Sequence, residues 1–416
     1  MPQARFLHRA ACGTSDAGRW LYVFGGRGVY TEYNDLWILD KQNVGGDALA
    51  ASGAPVRGSE GGSSSMWRHV AADPAPPQRQ SPTLTAVGTR LLMFGGRQVR
   101  RAPPGMCVRL RGRLAPLPVA LPSCPCVSTP SVPGGVCAQG EATFLNDTWL
   151  FDTLRCMPSP PISRPSMAVS RLLNDTWLFD TLRCEWTCVQ ESDELLPAWL
   201  GGGEGGGAIG GAVRPTPRWA HSAVAFGSRV LVFGGSAPGT CFNDLHSFDF
   251  DSDIDKCAWR RPVVAAGVLP PPRSGHCACA LGTESMFVFG GNTTEVSFND
   301  LWQYKVGLAT WTRIVASAGT GPTPSCRVGH TLTAIGSRLL VLGGREYSTN
   351  HFDPSLHSFN VTSKQWCTVP LERAGGGETK RTGHCATVHA GRILLFGGLD
   401  HNGRLLDDLW GISLMT

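Results

Sequence analysis

Apolar residues in this chain gather in short unbroken runs, and six of those runs end in a diglycine. They are "WLYVFGG" (20–26), "LLMFGG" (91–96), "VLVFGG" (230–235), "MFVFGG" (286–291), "LLVLGG" (339–344) and "ILLFGG" (393–398). An apolar run without polar alternation predicts a strand buried on both faces. The last three diglycines are spaced by 56, 53 and 54 residues, and earlier intervals of 70 and 139 require insertions. Before each run lies an alternating stretch, as in "RSGHCACAL" (273–281), opened by Arg-x-x-His in five of the six units. After it comes a polar Asn-Asp pair and a further strand: "YNDLWILD" (33–40), "FNDLHSFD" (242–249), "FNDLWQYK" (298–305), "DPSLHSFN" (353–360) and "LDDLWGIS" (406–413). A short strand with Trp67, Trp186, Trp259, Trp311 or Trp366 closes the unit. Four short antiparallel strands recurring at this period, with no helical period, describe a β-propeller.

The diglycine suits a turn needing φ > 0 or close backbone approach. The Asn-Asp pair can bond its own backbone and start the next strand. The tryptophan can pack one unit on another. Diglycine, spaced Trp and Arg-x-x-His together resemble the kelch repeat. The expectation is an all-β chain: one six-bladed kelch β-propeller over residues 1–416, with four-stranded antiparallel blades. The last blade is the exception, since no Trp-bearing fourth strand follows "LDDLWGIS". Either it has three strands or an upstream segment completes it.

Three stretches interrupt the pattern. Residues 41–65 are Gly/Ser/Ala-rich and 195–213 contain "GGGEGGGAIGGA"; both predict surface loops. Residues 98–172 are Pro- and Cys-rich with no blade pattern and predict poor order. They hold the first of two identical copies of "LNDTWLFDTLRC", at 145–156 and 173–184. Asn174 precedes Trp186 by twelve residues, as Asn299 precedes Trp311, whereas Pro158 stands twelve after Asn146. Only the second copy is expected to build a blade.

Composition sharpens this only in places. The 52 Gly and 30 Pro favour strands and tight turns. Net charge is +5, but residues 97–172 hold nine Arg against three acids, so the rest is near −1 and no nucleic-acid signal follows. There are 15 Cys and no CxxC, and the thiols of "CAC" (277–279) fall on one strand face, a packing pattern. No secretory or membrane segment is legible, and a cytoplasmic or nuclear location is expected.

No catalytic constellation stands out, and no metal or cofactor is expected. Copper-radical oxidases on this scaffold need two Tyr, two His and a Cys at one centre, and the five tyrosines are poorly placed for that. The Glu-x3-Asp-x3-His set of iron-dependent relatives is absent. His8, His221, His276, His330 and His384 recur once per blade, with Pro82 in their place in blade 2, and each is expected to bond within its own blade. The loops are the better candidates. The turn after the second strand and the turn before the first share one face of the ring. There Arg27, Arg97 and Arg345 follow diglycines and are the preferred contacts, while Arg5, Arg79, Arg218, Arg273, Arg327 and Arg381 open the repeats and either join them or pair with acids inside their own blades. Trp219 and His401 add apolar and titratable contacts. The resemblance implies a protein-binding module, with arginines meeting an acidic or phosphorylated segment of a partner. Kelch proteins similar to this one, F-box/kelch proteins of plants among them, are substrate receptors of ubiquitin ligases. A metal-dependent oxidase or lyase and a cytoskeletal scaffold remain the alternatives.

Overall fold

The computed structural model describes residues 1–12, 19–41, 67–101, 168–192, 214–319, 321–369, 379–389 and 392–413. The chain divides into two units, Met1–Arg100 with Ser170–Thr416, and Arg101–Val169. The first is a propeller of six antiparallel sheets. Blade 1 runs Arg9–Cys12, Trp20–Phe24, Leu36–Asp40, Trp67–Val70. Blade 2 runs Thr83–Val87, Arg90–Arg101, Ala168–Asp180, Glu185–Gln190. Blade 3 runs Ser222–Phe226, Arg229–Phe233, Leu245–Asp249, Ala258–Arg260. Blade 4 runs Cys277–Leu281, Ser285–Phe289, Leu301–Lys305, Thr310–Ile314. Blade 5 runs Thr331–Ile335, Arg338–Leu342, Leu356–Asn360, Gln365–Val369. Blade 6 has Cys385–His389, Arg392–Asp400 and Leu405–Ser413, with the two-residue strand Arg381–Thr382 on the diglycine end.

Each innermost strand lies against that of the next blade, and blade 1 meets blade 6, so six blades close the circle. A backbone ring seals it. The third residue of each Arg-x-x-His segment donates its N–H to the carbonyl of its counterpart in the preceding blade. Leu7 donates to Gly383, Ser81 to Leu7, Ala220 to Ser81, Gly275 to Ala220, Gly329 to Gly275 and Gly383 to Gly329, at 2.8–3.4 Å. All six residues have φ between 51° and 65°. Leu7, Ser81 and Ala220 adopt this left-handed conformation despite their Cβ, held there by bonds on both sides.

The apolar second strands are buried throughout, and every interface between neighbouring blades holds one core cluster. Each fourth-strand tryptophan packs on an aromatic ring of the preceding blade: Trp67 on Phe396, Trp186 on Phe24, Trp259 on Phe94, Trp311 on Phe233 and Trp366 on Phe289, with centroids 4.6–5.5 Å apart. The diglycine demands its residues. Gly26 has φ +93°, and a Cβ there would lie 2.8 Å from the Cβ of His8. Gly26→Ala is expected to cost about 1–3 kcal/mol, read as a lower midpoint in thermal unfolding.

Three expectations are refined. The second copy of the duplicated stretch does form the third strand of blade 2, while the first lies outside the described residues, as do most of 41–65 and all of 195–213. The stretch 98–172 is trimmed at both ends. The second and third strands of blade 2 continue through 98–101 and 168–172, joined at their base by Arg97 donating to Ser170 Oγ at 2.7 Å. Pairing of these two strands carries the sheet past the diglycine, which ends the second strand in the other blades except blade 6. The Asn-Asp pair bonds local backbone at Asp35, Asp408 and Asp353, as expected, and its asparagine does more. Asn174, Asn243 and Asn299 donate to the carbonyls of Pro215, Pro270 and Pro324, tethering the loop that leads to the next blade. The neighbouring aspartates serve the site described next.

Candidate functional site

The six repeat-opening arginines are the largest fully buried side chains among the described residues. Each pairs with the aspartate of its own blade: Arg5–Asp35, Arg79–Asp175, Arg218–Asp244, Arg273–Asp300, Arg327–Asp353 and Arg381–Asp408, at 2.5–2.8 Å. Each also donates to the carbonyl of the first diglycine residue, at 2.9–3.0 Å. The aspartate accepts a further N–H from the ring two residues on, as Trp37, Trp177, Trp302, Trp410 and His246 show. Burial raises the carboxyls of Asp35, Asp300 and Asp408, but the paired arginine outweighs it and holds them below the usual range. Arg218, Arg273, Arg327 and Arg381 are therefore corrected as surface contacts: at most 1% exposed and bonded to carboxylate and carbonyl, they fasten the diglycine to the third strand.

The histidines reach into the preceding blade rather than bonding only within their own. His221 Nε2 meets Thr83 Oγ1 at 3.0 Å and His276 Nε2 meets Ser222 Oγ at 2.9 Å, each the hydroxyl of the preceding blade. His8, His221, His276 and His330 also stack edge-on against the preceding blade's Phe396, Phe94, Phe233 and Phe289. Burial, then the adjacent arginine, pushes all five well below the usual imidazole range, His330 to about 3. They are neutral packing groups, and among the described residues no three His, Cys, Asp or Glu converge on one point.

The remaining rim residues do assemble. The residue after each diglycine bridges the residue after each repeat-opening arginine: Arg27 with Phe6, Arg97 with Gln80, Ser236 with Trp219, Asn292 with Ser274 and Arg345 with Val328. The two kinds of turn thus share one face. Arg97 is largely buried, and its guanidinium lies 5.4 Å from the ring of Trp219. Glu32 of blade 1 sits between Arg27 and Arg97 and accepts the N–H of Val99 at 2.8 Å. Burial raises its carboxyl, against the pull of that N–H and of both arginines. Arg345 is half-buried, donates to Asn350 and has its guanidinium lowered by burial. His401 is exposed on the blade 6 turn. Val29, Tyr30, Val296 and Tyr347 stand exposed on turns of the same kind.

Sequence reading missed Arg9. It follows the repeat histidine, where the other blades place Thr83, Ser222, Cys277, Thr331 and Cys385. Its charge depresses His221 and His276 of blades 3 and 4 and opposes the burial that raises Cys385 of blade 6. The signal was its misfit to a column of small side chains.

The closed ring of diglycine-anchored blades defines a kelch β-propeller. A model of the KLHDC2/KLHL20/DRC7 Kelch-repeats domain matches residues 166–344 and 317–416, so the chain belongs to the kelch-repeat family. It is 32% identical over 200 residues to the flagellar outer-arm dynein alpha chain of Chlamydomonas reinhardtii (45% of this chain, 4% of that protein). It is 31% identical over 212 residues to human Kelch domain-containing protein 3 (48% and 52%), and 27% over 232 residues to human Host cell factor 2 (47% and 29%). The chain spans about half or less of the length of these relatives. Propellers of this family are protein-interaction modules, and among the described residues no helix is long and apolar enough to cross a membrane.

Proposed function

We propose that the diglycine face binds an acidic or phosphorylated segment of a partner protein, with Arg27, Arg97 and Arg345 as charged contacts and Trp219 and His401 beside them. The carrying observation is the bridging of both turn types onto one face, which sets three arginines and exposed apolar side chains together. Guanidinium groups partly withdrawn from water attract carboxylate or phosphate more strongly than fully solvated ones. In this reading the chain is the recognition part of a ubiquitin-ligase or signalling complex. Similarity to a flagellar dynein chain favours a second reading, in which the same face docks the ring on a cytoskeletal assembly.

The test is binding to an array of acidic and phosphoserine peptides. Arg27→Glu with Arg345→Glu should weaken the retained peptides at least tenfold while leaving the thermal midpoint in place. Affinity should also fall as salt rises. Unchanged retention by the double variant would refute the rim.

A further inference from the structure

Two residues of blade 1 depart from columns that the other blades fill with small or apolar side chains, and the two touch each other. Cys12 ends the innermost strand opposite Leu21. The residue in the same register is Ala86, Ala225, Ala280, Ala334 or Val388 in blades 2 to 6. Lys41 follows the third strand and donates its backbone N–H to Arg19. Thr181, Phe250, Val306 and Val361 make the same bond in blades 2 to 5, to Thr89, Ser228, Glu284 and Ser337. Phe250, Val306 and Val361 pack against the apolar clusters between blades. Lys41 instead carries an ammonium into that place, with 3% of the residue exposed.

The ammonium is aimed at the thiol. Lys41 Nζ donates to Cys12 Sγ at 3.4 Å. The neighbouring carboxylate, Asp40, is taken by Arg19, and among the described residues no carboxylate pairs with Lys41. Burying an ammonium without a carboxylate is costly, so its place beside a sulfur calls for a reason. The Thr387 hydroxyl of blade 6 also lies within hydrogen-bond reach of the same sulfur. Cys12 itself is only partly buried.

The other thiols differ. Burial pushes Cys188 and Cys277 up to about 11, and raises Cys279 and Cys385 as well. Arg68 and Arg338 reach Cys184 and Cys367 at 3.8 Å, but on exposed surface where water screens the charge. Only at Cys12, among the described residues, do a buried cation and a hydroxyl from a neighbouring blade meet one sulfur.

We propose that Cys12 is a modification site for hydrogen peroxide, with Lys41 and Thr387 as the donors that serve it. The sulfur attacks one peroxide oxygen, and the S–O bond forms as the O–O bond breaks. The other oxygen departs with negative charge, which the ammonium steadies, and takes up the proton that the thiol has released. Thiol and peroxide thus become sulfenic acid and water, with sulfur oxidised and peroxide reduced.

The experiment treats the full chain briefly with dilute hydrogen peroxide in the presence of dimedone, which traps sulfenic acid. Remaining thiols are capped with iodoacetamide and each cysteine peptide is quantified by mass spectrometry. Cys12 is expected to lose its thiol at least tenfold faster than the exposed Cys367, and to appear as the dimedone adduct. Exposure alone gives the reverse order. Lys41→Met and Thr387→Val, in proteins of unchanged thermal midpoint, should each slow the reaction at Cys12 at least tenfold. If either variant lowers the midpoint, the order of Cys12 and Cys367 in the unaltered protein decides alone. Three results would overturn the proposal: Cys12 reacting no faster than Cys367, loss of its thiol with no dimedone adduct, or an unchanged rate in a folded Lys41→Met protein.

Discussion

Asp175→Ala is expected to destabilise the ring by about 3–5 kcal/mol, whereas Asp147→Ala, the same change in the other copy of the duplicated stretch, leaves stability unchanged. Arg79 has no exposed surface and Asp175 has 5%, the most enclosed of the six pairs. Both nitrogens of the guanidinium fork bond the carboxylate at 2.6 Å, and Nη1 also reaches the Gly95 carbonyl. Removing the carboxylate leaves a buried cation with neutral acceptors only, and the charge has no path to water. The same carboxylate fixes the Trp177 indole at 2.8 Å, so that contact is lost as well. The thermal midpoint should fall by roughly 10 °C. Arg79→Met combined with Asp175→Leu should recover much of the loss, because neither charge then remains. Equal losses from Asp147→Ala and Asp175→Ala would mean that the first copy also occupies blade 2.

A second large effect is loss of stability in mild acid. His8, His221, His276, His330 and His384 have pKa values depressed by burial and by the adjacent arginines. At a pH between the folded and unfolded values, the unfolded chain binds protons that the folded chain does not. Stability is therefore full above the unfolded value near 6.5 and falls as pH drops below it. For His330 the decline extends down to about 3. Each such histidine contributes about 1.4 kcal/mol per pH unit within that window, so several kcal/mol are expected to be lost by pH 5.5. The carboxylates of Asp35, Asp300 and Asp408 are also held below their usual range, by their paired arginines, and add a second decline below about pH 4, where they protonate and release those arginines. Thermal midpoints across pH 7.5 to 4.5 measure this. His221→Gln and His276→Gln should each flatten the slope, as blade 2 tolerates the non-titrating Pro82 at the same position. A midpoint that stays level from pH 7.5 to 5 would contradict the burial of these rings.

Most of the fold was legible because its signals are local. Apolar runs, diglycines and Trp spacing each specify a strand or turn over a few residues, and the period fixes blade number. The candidate site was legible only in part. That Arg27, Arg97 and Arg345 share a face follows from repeat position. That Arg218, Arg273, Arg327 and Arg381 pair with acids of their own blades was one of two readings the repeat allowed, and the choice waited on which carboxylate, 26 or 27 residues away, the fold brings to each. The direction of the histidines was misread for a similar reason. Their partners Thr83 and Ser222 are 138 and 54 residues distant, and repeat patterns speak within a unit rather than across the joint between units. Arg9 escaped because one residue has no period.

The sequence by itself determined the class of fold, the number of blades and which copy of the twelve-residue stretch completes blade 2. These depend on side-chain pattern and spacing, which backbone geometry translates directly into strands and turns. Only the tertiary structure decided which arginines are fasteners, that Arg97 is largely buried while Arg27 and Arg345 are half-buried, and how the backbone ring closes from Gly383 to Leu7. Burial and charge pairing are set by what the neighbouring blade supplies, and that neighbour is fixed only when the circle closes.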